Sequence, residues 1–239
     1  LAKEIQHLII YCEGKNNLVA AMTELAIRKV RKVVAICDAD FDRIARIQPP
    51  KDVIFADFHD AEMMIIMSAA YPHVYAEMLD MPPDVVEATR IRSVLLDATC
   101  KLGKLYFWSI LEGIGWPFKH VPIKTHLVQD GTFDFSRYVA KLVALAEASE
   151  GAASTAHRKI AEGAYETQQA EYSRGHDFCN LLDQIVEFQG RRAYGRKTVE
   201  KFLRLRFDAA NFRNTELAGR LADWQQKNRV VILSSECVP

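Results

Sequence analysis

The chain has 239 residues, 49% of them hydrophobic, and its 31 basic and 31 acidic side chains give a formal net charge of zero. That supplies ample core for one or two compact domains and excludes an overall positive field as the means of finding nucleic acid. Five cysteines, an odd number with no CxxC pair and no secretory leader, point to a reduced cytoplasmic protein, and no apolar run approaches the roughly 20 residues of a membrane helix.

Three short apolar runs near the start each end in acids. Leu8-Ile9-Ile10-Tyr11-Cys12 ends in Glu13-Gly14, Val33-Val34-Ala35-Ile36-Cys37 in Asp38, Asp40 and Asp42, and Val53-Ile54-Phe55-Ala56 in Asp57, Asp60 and Glu62. Each run is short, β-branched and bounded by turn or charge signals, so each is expected to be a buried strand. Asn16 to Val30 has the period of a helix, with Leu18, Ala21, Met22, Leu25 and Ala26 on one face and Asn16 or Asn17 as cap. Strand, helix, strand predicts a right-handed crossover and parallel pairing. The basic run Arg28-Lys29-Val30-Arg31-Lys32 then suits the helix C-terminus.

Asp60 to Asp80 reads as an apolar helical segment bent near Pro72, and its methionines fill core. Met81-Pro82-Pro83 is a break, which places a catalytic-type core at 1–82 and a mostly helical region at 83–239. From Asp84 a long helix carries Val85, Ala88, Ile91, Leu95, Ala98, Leu102 and Leu105, ending at Gly113 to Pro117. Val121 to Val128 is expected as a strand, either in a hairpin across Asp130-Gly131 or as an added edge. Helices follow over Ser136–Ala148 and Ala156–Ser173, with Glu150 to Ser154 as a small-residue loop. Asp177 is the expected N-cap of an amphipathic helix containing Phe178, Leu181, Leu182, Ile185, Val186 and Phe188. His176 and Cys179 have no second pair at matching spacing, which argues against structural zinc. A helix over Thr215–Gln226 and a strand over Val230–Leu233 complete the chain, which opens at Leu1 as a piece of a longer protein would.

Parallel strands would bring the acids to the carboxyl edge of one sheet, where open α/β folds bind ligands. A single DxDxD tripeptide is ordinarily a solvated loop with capping aspartates. Three acid groups in register are a different matter, because crowded carboxylates cannot all stay ionised without a compensating cation. Hard oxygen donors select Mg²⁺ or Mn²⁺, with Glu13, Asp38, Asp40, Asp42, Asp60 and Glu62 as candidate ligands. His59 beside Asp60 has two readings, a phosphate contact or acid and, more ordinary, a local hydrogen-bond partner. Cys12 and Cys37 read as small buried hydrophobes. Gly190 to Arg206 is strongly basic. Arg191, Arg192, Arg196 and Lys197, with Tyr194 nearby, suit a phosphate backbone and an unstacked base, while a solvated face or a partner-docking surface would have the same composition.

At these residues the chain resembles a known family. Glu13-Gly14 after one strand and Asp38-x-Asp40 after the next are similar to the TOPRIM domain of type IA and II topoisomerases, bacterial primases and OLD-family nucleases. The fuller pattern Y-C-E-G-K-N-N, C-D-A-D-F-D and F-H-D-A-E resembles a narrower bacterial TOPRIM-like family that includes the nuclease subunit of the PARIS anti-phage systems. The motifs cover about the first quarter of the chain, and Gly175-His176-Asp177 also resembles that family. Members often carry Asp where this chain has Asn16-Asn17; an amide there offers an oxygen but no charge.

The resemblance implies a TOPRIM-like parallel-sheet core and a metal-dependent endonuclease in which Glu13, Asp38 and Asp40 are catalytic. It also implies a defence effector, a nucleic acid substrate (RNA, including tRNA, or DNA), an ABC-type ATPase partner and an allowance for a homodimer. The competing class is a non-catalytic module that keeps the scaffold to bind and regulate the ATPase.

Overall fold

The computed structural model describes residues 9–146, 151–161, 166–234 and 237–238. Strands β1 (Ala35–Cys37) and β2 (Val53–Phe55) pair in parallel, with Ala35, Ile36 and Cys37 opposite Val53, Ile54 and Phe55. Around them, in chain order, lie α1 (Lys15–Ile27), α2 (Ala61–Met67), α3 (Tyr71–Leu79), α4 (Val85–Leu111), α5 (Phe135–Leu145), α6 (Ala152–Ala161), α7 (Glu166–Tyr172), α8 (Gly175–Phe188), α9 (Arg196–Arg206), α10 (Ala209–Arg213) and α11 (Glu216–Asn228). The class is mixed α/β, with a small parallel sheet and predominant helix. Among the described residues, no helix is long and apolar enough to cross a membrane.

The alternation of side chains in β2 decides what covers the sheet. Val53 and Phe55 pack with Leu18 and Met22 of α1. Ile54 points the other way, into a cluster with Met64, Leu217, Leu221 and Trp224 of α2 and α11. Both faces of β2 are therefore covered, whereas β1, expected as a buried strand, is only half-buried and leaves Ile36 47% exposed. A larger core surrounds α4, whose Ala88, Ile91, Leu95, Ala98, Leu102 and Leu105 are buried together with Met63, Tyr71 and Met78 from before Pro82 and Phe178, Leu182 and Leu203 from after it. Residues on either side of the 82/83 boundary thus share one apolar cluster. At Gly103 the backbones close in, since a Cβ there would lie 1.9 Å from the Tyr172 carbonyl oxygen.

Several expected elements differ. Residues 9–12 form no strand, and Ile9 and Tyr11 are 91% and 87% exposed; Leu8 lies outside the described residues. A strand persists only where a neighbour takes its backbone groups, and among the described residues β1 pairs with β2 alone. Helix α1 is capped by neither asparagine: Gly14 stands at its N-cap with φ +92°, and Asn17 Nδ2 donates to the Glu13 carbonyl at 2.7 Å. The basic run lies in the turn beyond α1, with Lys29 and Lys32 at φ 57° and 62°. The segment before Asp80 is two helices, with Pro72 near the start of the second. Val121–Val128 is not a strand. A 3-10 turn at Phe118–His120 precedes it and another at Ile123–His126 lies within it, followed by an isolated antiparallel bridge, Leu127 to Phe133, across the Asp130-Gly131 turn.

Ala152 to Ser154 open α6 and are not a loop, while Glu150, the end of the helix expected to reach Ala148, and residues 162–165 lie outside the described residues. Asp177 is not a cap, because α8 starts two residues earlier with Arg174 at its N-cap. The run Val230–Leu233 forms no strand, since the Gln225 side-chain oxygen accepts from the amides of Ile232 and Leu233 (2.7 and 2.9 Å) in place of a neighbouring strand.

Candidate active site

The carboxyl ends of β1 and β2 open onto the start of α2. Asp38 follows β1, faces solvent on one side, and accepts from the Ala61 amide at 3.2 Å through Oδ1. Asp40 stands at φ 50°, its amide bound to the His59 carbonyl at 2.7 Å, so the loop after β1 is tied to the loop after β2. Lys15 closes the third side. Its Nζ lies 3.3 Å from Asp40 Oδ2 and 2.8 Å from Asp42 Oδ2, donates to the Ala39 carbonyl at 3.0 Å, and sits 4.7 Å from the Phe55 ring centroid. The exposed Glu13 is two residues from this lysine, so the turn that carries it is anchored against the Asp38–Asp42 loop.

The remaining acids are engaged within the fold. Asp60 caps α2 by accepting from the Met63 amide at 2.9 Å, and its other oxygen accepts from the Gly175 amide at 2.8 Å. Buried Glu62 is ion-paired with Arg204. Asp57 accepts from the Glu216 amide at 2.8 Å and from Arg220 at 2.7 Å, which fixes α11 to the sheet.

Burial, with a smaller contribution from neighbouring acids, raises the carboxyl pKa values of Asp38 and Asp60. Partial burial pushes the Asp38 carboxyl up; Asp40 and Glu62 add to the rise, while the Ala61 amide and His176 oppose it. Burial pushes Asp60 up to about 7 despite its two amide donors, with Glu62 and Asp38 contributing. These groups therefore share one field. Among the described residues, however, no three His, Cys, Asp or Glu side chains form a group that could hold a metal ion by themselves.

His59 is a local partner. Burial lowers its pKa to about 4, its Nδ1 lies 3.3 Å from the Glu171 carbonyl, and its ring meets Phe41 edge-on. Cys37 is only half-buried and Cys12 likewise, so neither is the fully buried hydrophobe expected.

The basic segment divides in two. Arg196, Arg204 and Arg206 are ion-paired with Glu200, Glu62 and Glu77. Arg191, Arg192 and Lys197 are exposed. Tyr194 and Gly195 are pinned, their amides donating to Asp183 Oδ1 at 2.7 and 3.1 Å. Helix α9 thus presents some of its charge inward, to the start of α2, and some outward.

Lys15, Gly175 and the pair His176–Glu200 were not singled out for the site by sequence reasoning. Lys15 and Gly175-His176 lay inside motifs already noticed; Glu200, the single acid in a basic run, was the available signal. No protein-family model matches the chain, and no curated protein or solved structure matches it.

Proposed function

We propose that the chain is a TOPRIM-like, Mg²⁺- or Mn²⁺-dependent nuclease that cleaves nucleic acid phosphodiesters, related to the nucleases of the PARIS anti-phage systems. The observation that carries this reading is geometric: the loop after β1 that bears Asp38 and Asp40 is tied to the loop after β2 and the start of α2, which bear Asp60 and Glu62, through the Asp40 amide on the His59 carbonyl and the Ala61 amide on Asp38. Such an edge gains from a divalent cation.

The residues present fit that ion in its common mode. Mg²⁺ is usually held by one or two carboxylates, several waters and substrate phosphates, not by an all-protein cage. Asp38 and Asp40 are the exposed hard donors and would hold it, with Asp40 sharing Lys15 at 3.3 Å; Asp42 is less exposed and bound closer by Lys15 at 2.8 Å, and Asp60 and Glu62 are buried with amide and arginine partners. When bound, the ion supplies charge neutralisation of the phosphodiester and activation of water. Glu13 would take up a proton at the same edge, and Arg191, Arg192 and Lys197 would attract the polyanion. RNA, including tRNA, is the favoured substrate class, with an ABC-type ATPase as partner in a cytoplasmic defence effector. The unpaired state of all five cysteines accords with that compartment.

The second reading, a non-catalytic module regulating the ATPase, is favoured by one observation: Lys15 already supplies Asp40 and Asp42 with a cation. Purified protein incubated with Mg²⁺ or Mn²⁺ and tRNA, single-stranded RNA or plasmid decides between them. The nuclease reading expects cleavage by the wild type, loss of cleavage in Glu13→Ala, and a melting temperature that stays level or rises. Equal activity in a folded Glu13→Ala protein, or none in the wild type, favours the module.

A further inference from the structure

We propose that His176 is a further catalytic residue, its Nε2 donating a proton to the leaving oxygen while Glu200 holds the ring from the other side. This rests on the nuclease reading above. His176 is the second residue of α8, and α8 is docked directly onto the acidic edge: the Gly175 amide donates to Asp60, and a Cβ at Gly175 would lie 2.5 Å from Asp60 Oδ1 and 2.4 Å from Glu62 Cβ. Only a residue without a side chain allows this approach. His176 follows in the same docked turn, close enough to Asp38 to bear on its carboxyl.

The ring is also oriented. His176 Nδ1 lies 2.7 Å from Glu200 Oε1, and Arg196 Nε approaches the same oxygen at 3.4 Å, so the carboxylate is fixed on α9. A carboxylate accepts only, so Nδ1 carries the hydrogen and Nε2 is the nitrogen left for other work. The Glu200 side chain is 9% exposed and that of His176 is 42% exposed, which places the acceptor inside and the imidazole within reach of a substrate. The charged groups that bear on it or on its acceptor are Asp38, Asp177, Glu200 and, on the same Glu200 oxygen, Arg196, while Arg174 pairs with Asp177. A purely structural bridge between α8 and α9 has no need of a half-exposed imidazole at the mouth of an acidic edge.

The step balances with water as the only co-reactant. Water oxygen bonds to phosphorus, the bond from phosphorus to the leaving oxygen breaks with its electron pair going to that oxygen, and the oxygen takes the Nε2 proton of the imidazolium. The water gives its proton to Glu13 or to solvent. Neutral His176, still bonded to Glu200 through Nδ1–H, is reprotonated by solvent.

The test uses the RNA cut by the wild type, prepared in two forms. In one, the leaving bridging oxygen, identified from which product end carries the phosphate, is replaced by sulfur. A thiolate departs without a proton, so loss of a proton donor matters only for the oxygen substrate. With Mn²⁺ in all arms, His176→Gln is expected to slow the oxygen substrate by about 100- to 10,000-fold, yet cut the sulfur substrate within about tenfold of wild type. Glu200→Gln, a change in a positioning residue, should show a smaller loss with the same rescue, and serves if His176→Gln does not fold. Equal loss on both substrates, or no loss on either, overturns the proposal and leaves the nuclease reading standing. A wild type that cuts no nucleic acid overturns both.

Discussion

The amide of Gly175 lies 2.8 Å from Oδ2 of Asp60, joining the first turn of α8 to the cap of α2 across 115 positions of sequence. The same carboxylate holds the Met63 amide with its other oxygen. Asp60 is thus a two-sided clamp and cannot swing aside to admit a side chain at position 175. Gly175→Ala would set a Cβ 2.4 Å from Glu62 Cβ, and overpacking of this kind costs about 1–3 kcal/mol. A lowered melting temperature in urea or heat is the expected outcome; an unchanged one would show that the two helices part more easily than their contacts imply.

Long-range links of this sort explain what was legible in the sequence. The runs Ala35–Cys37 and Val53–Phe55 were visible as strands because β-branched side chains, charge boundaries and a helix ahead of the first of them are local signals. The same signals misled at Ile9 to Cys12, which has the composition of a strand but no pairing neighbour among the described residues. Helix α4 was readable from its own apolar period, yet its break from α3 at Met81-Pro82-Pro83 does not separate the cores. Arg204–Glu62 spans 142 positions and His176–Glu200 spans 24, and no periodicity carries either. Three of the seven basic residues, Arg196, Arg204 and Arg206, are therefore internally paired where the sequence read the segment as a phosphate contact, a solvated face or a docking surface.

Two helical glycines should respond oppositely to alanine. Alanine is intrinsically better than glycine in a helix by about 1 kcal/mol. At Gly219 of α11 nothing lies within 4 Å of an added Cβ, so Gly219→Ala should stabilise by roughly that amount. At Gly103 the added Cβ would meet the Tyr172 carbonyl carbon at 2.7 Å and its oxygen at 1.9 Å, backbone atoms that cannot rotate away. Steric cost should exceed the propensity gain there, and chemical denaturation of Gly103→Ala should show net loss of about 1–3 kcal/mol. Matching midpoints for the two variants would contradict the close packing of α4 and α7.

Stability should fall as pH rises through neutrality and then level off. Asp60, raised from 3.8 to about 7, binds its proton more tightly folded than unfolded, so its contribution is complete below the unfolded value and is lost as pH rises through about 7. Asp38 and Asp57, also raised by burial, act in the same sense. His59 acts oppositely: lowered from 6.5 to about 4, it favours the folded chain increasingly as pH rises between those values. The two partly cancel below the histidine's unfolded value, and above it the carboxyl effect stands alone. Calorimetry without divalent metal should show a melting temperature lower at pH 8 than at pH 6.5. A level or rising temperature over that interval would count against a desolvated Asp60.

The divided basic segment predicts a divided salt response. Arg191 and Arg192 are exposed on the turn before α9, whereas Arg204 reaches inward to Glu62 and Arg206 to Glu77. Each phosphate contact releases condensed counterions, so Arg191→Gln with Arg192→Gln should flatten the slope of log affinity against log salt by roughly 1.4 to 1.8, according to strandedness. Arg204→Gln should leave that slope near wild type and instead destabilise the fold, because it strands a buried carboxylate that had a charged partner. Binding is best measured with Glu13→Ala protein so that the substrate survives, and a pulldown with a co-encoded ATPase runs beside it. Should the salt slope hold in the double variant while the ATPase is lost, Arg191 and Arg192 are a docking surface, and the polyanion path runs past Lys29, Arg31 and Lys32, exposed beyond the end of α1.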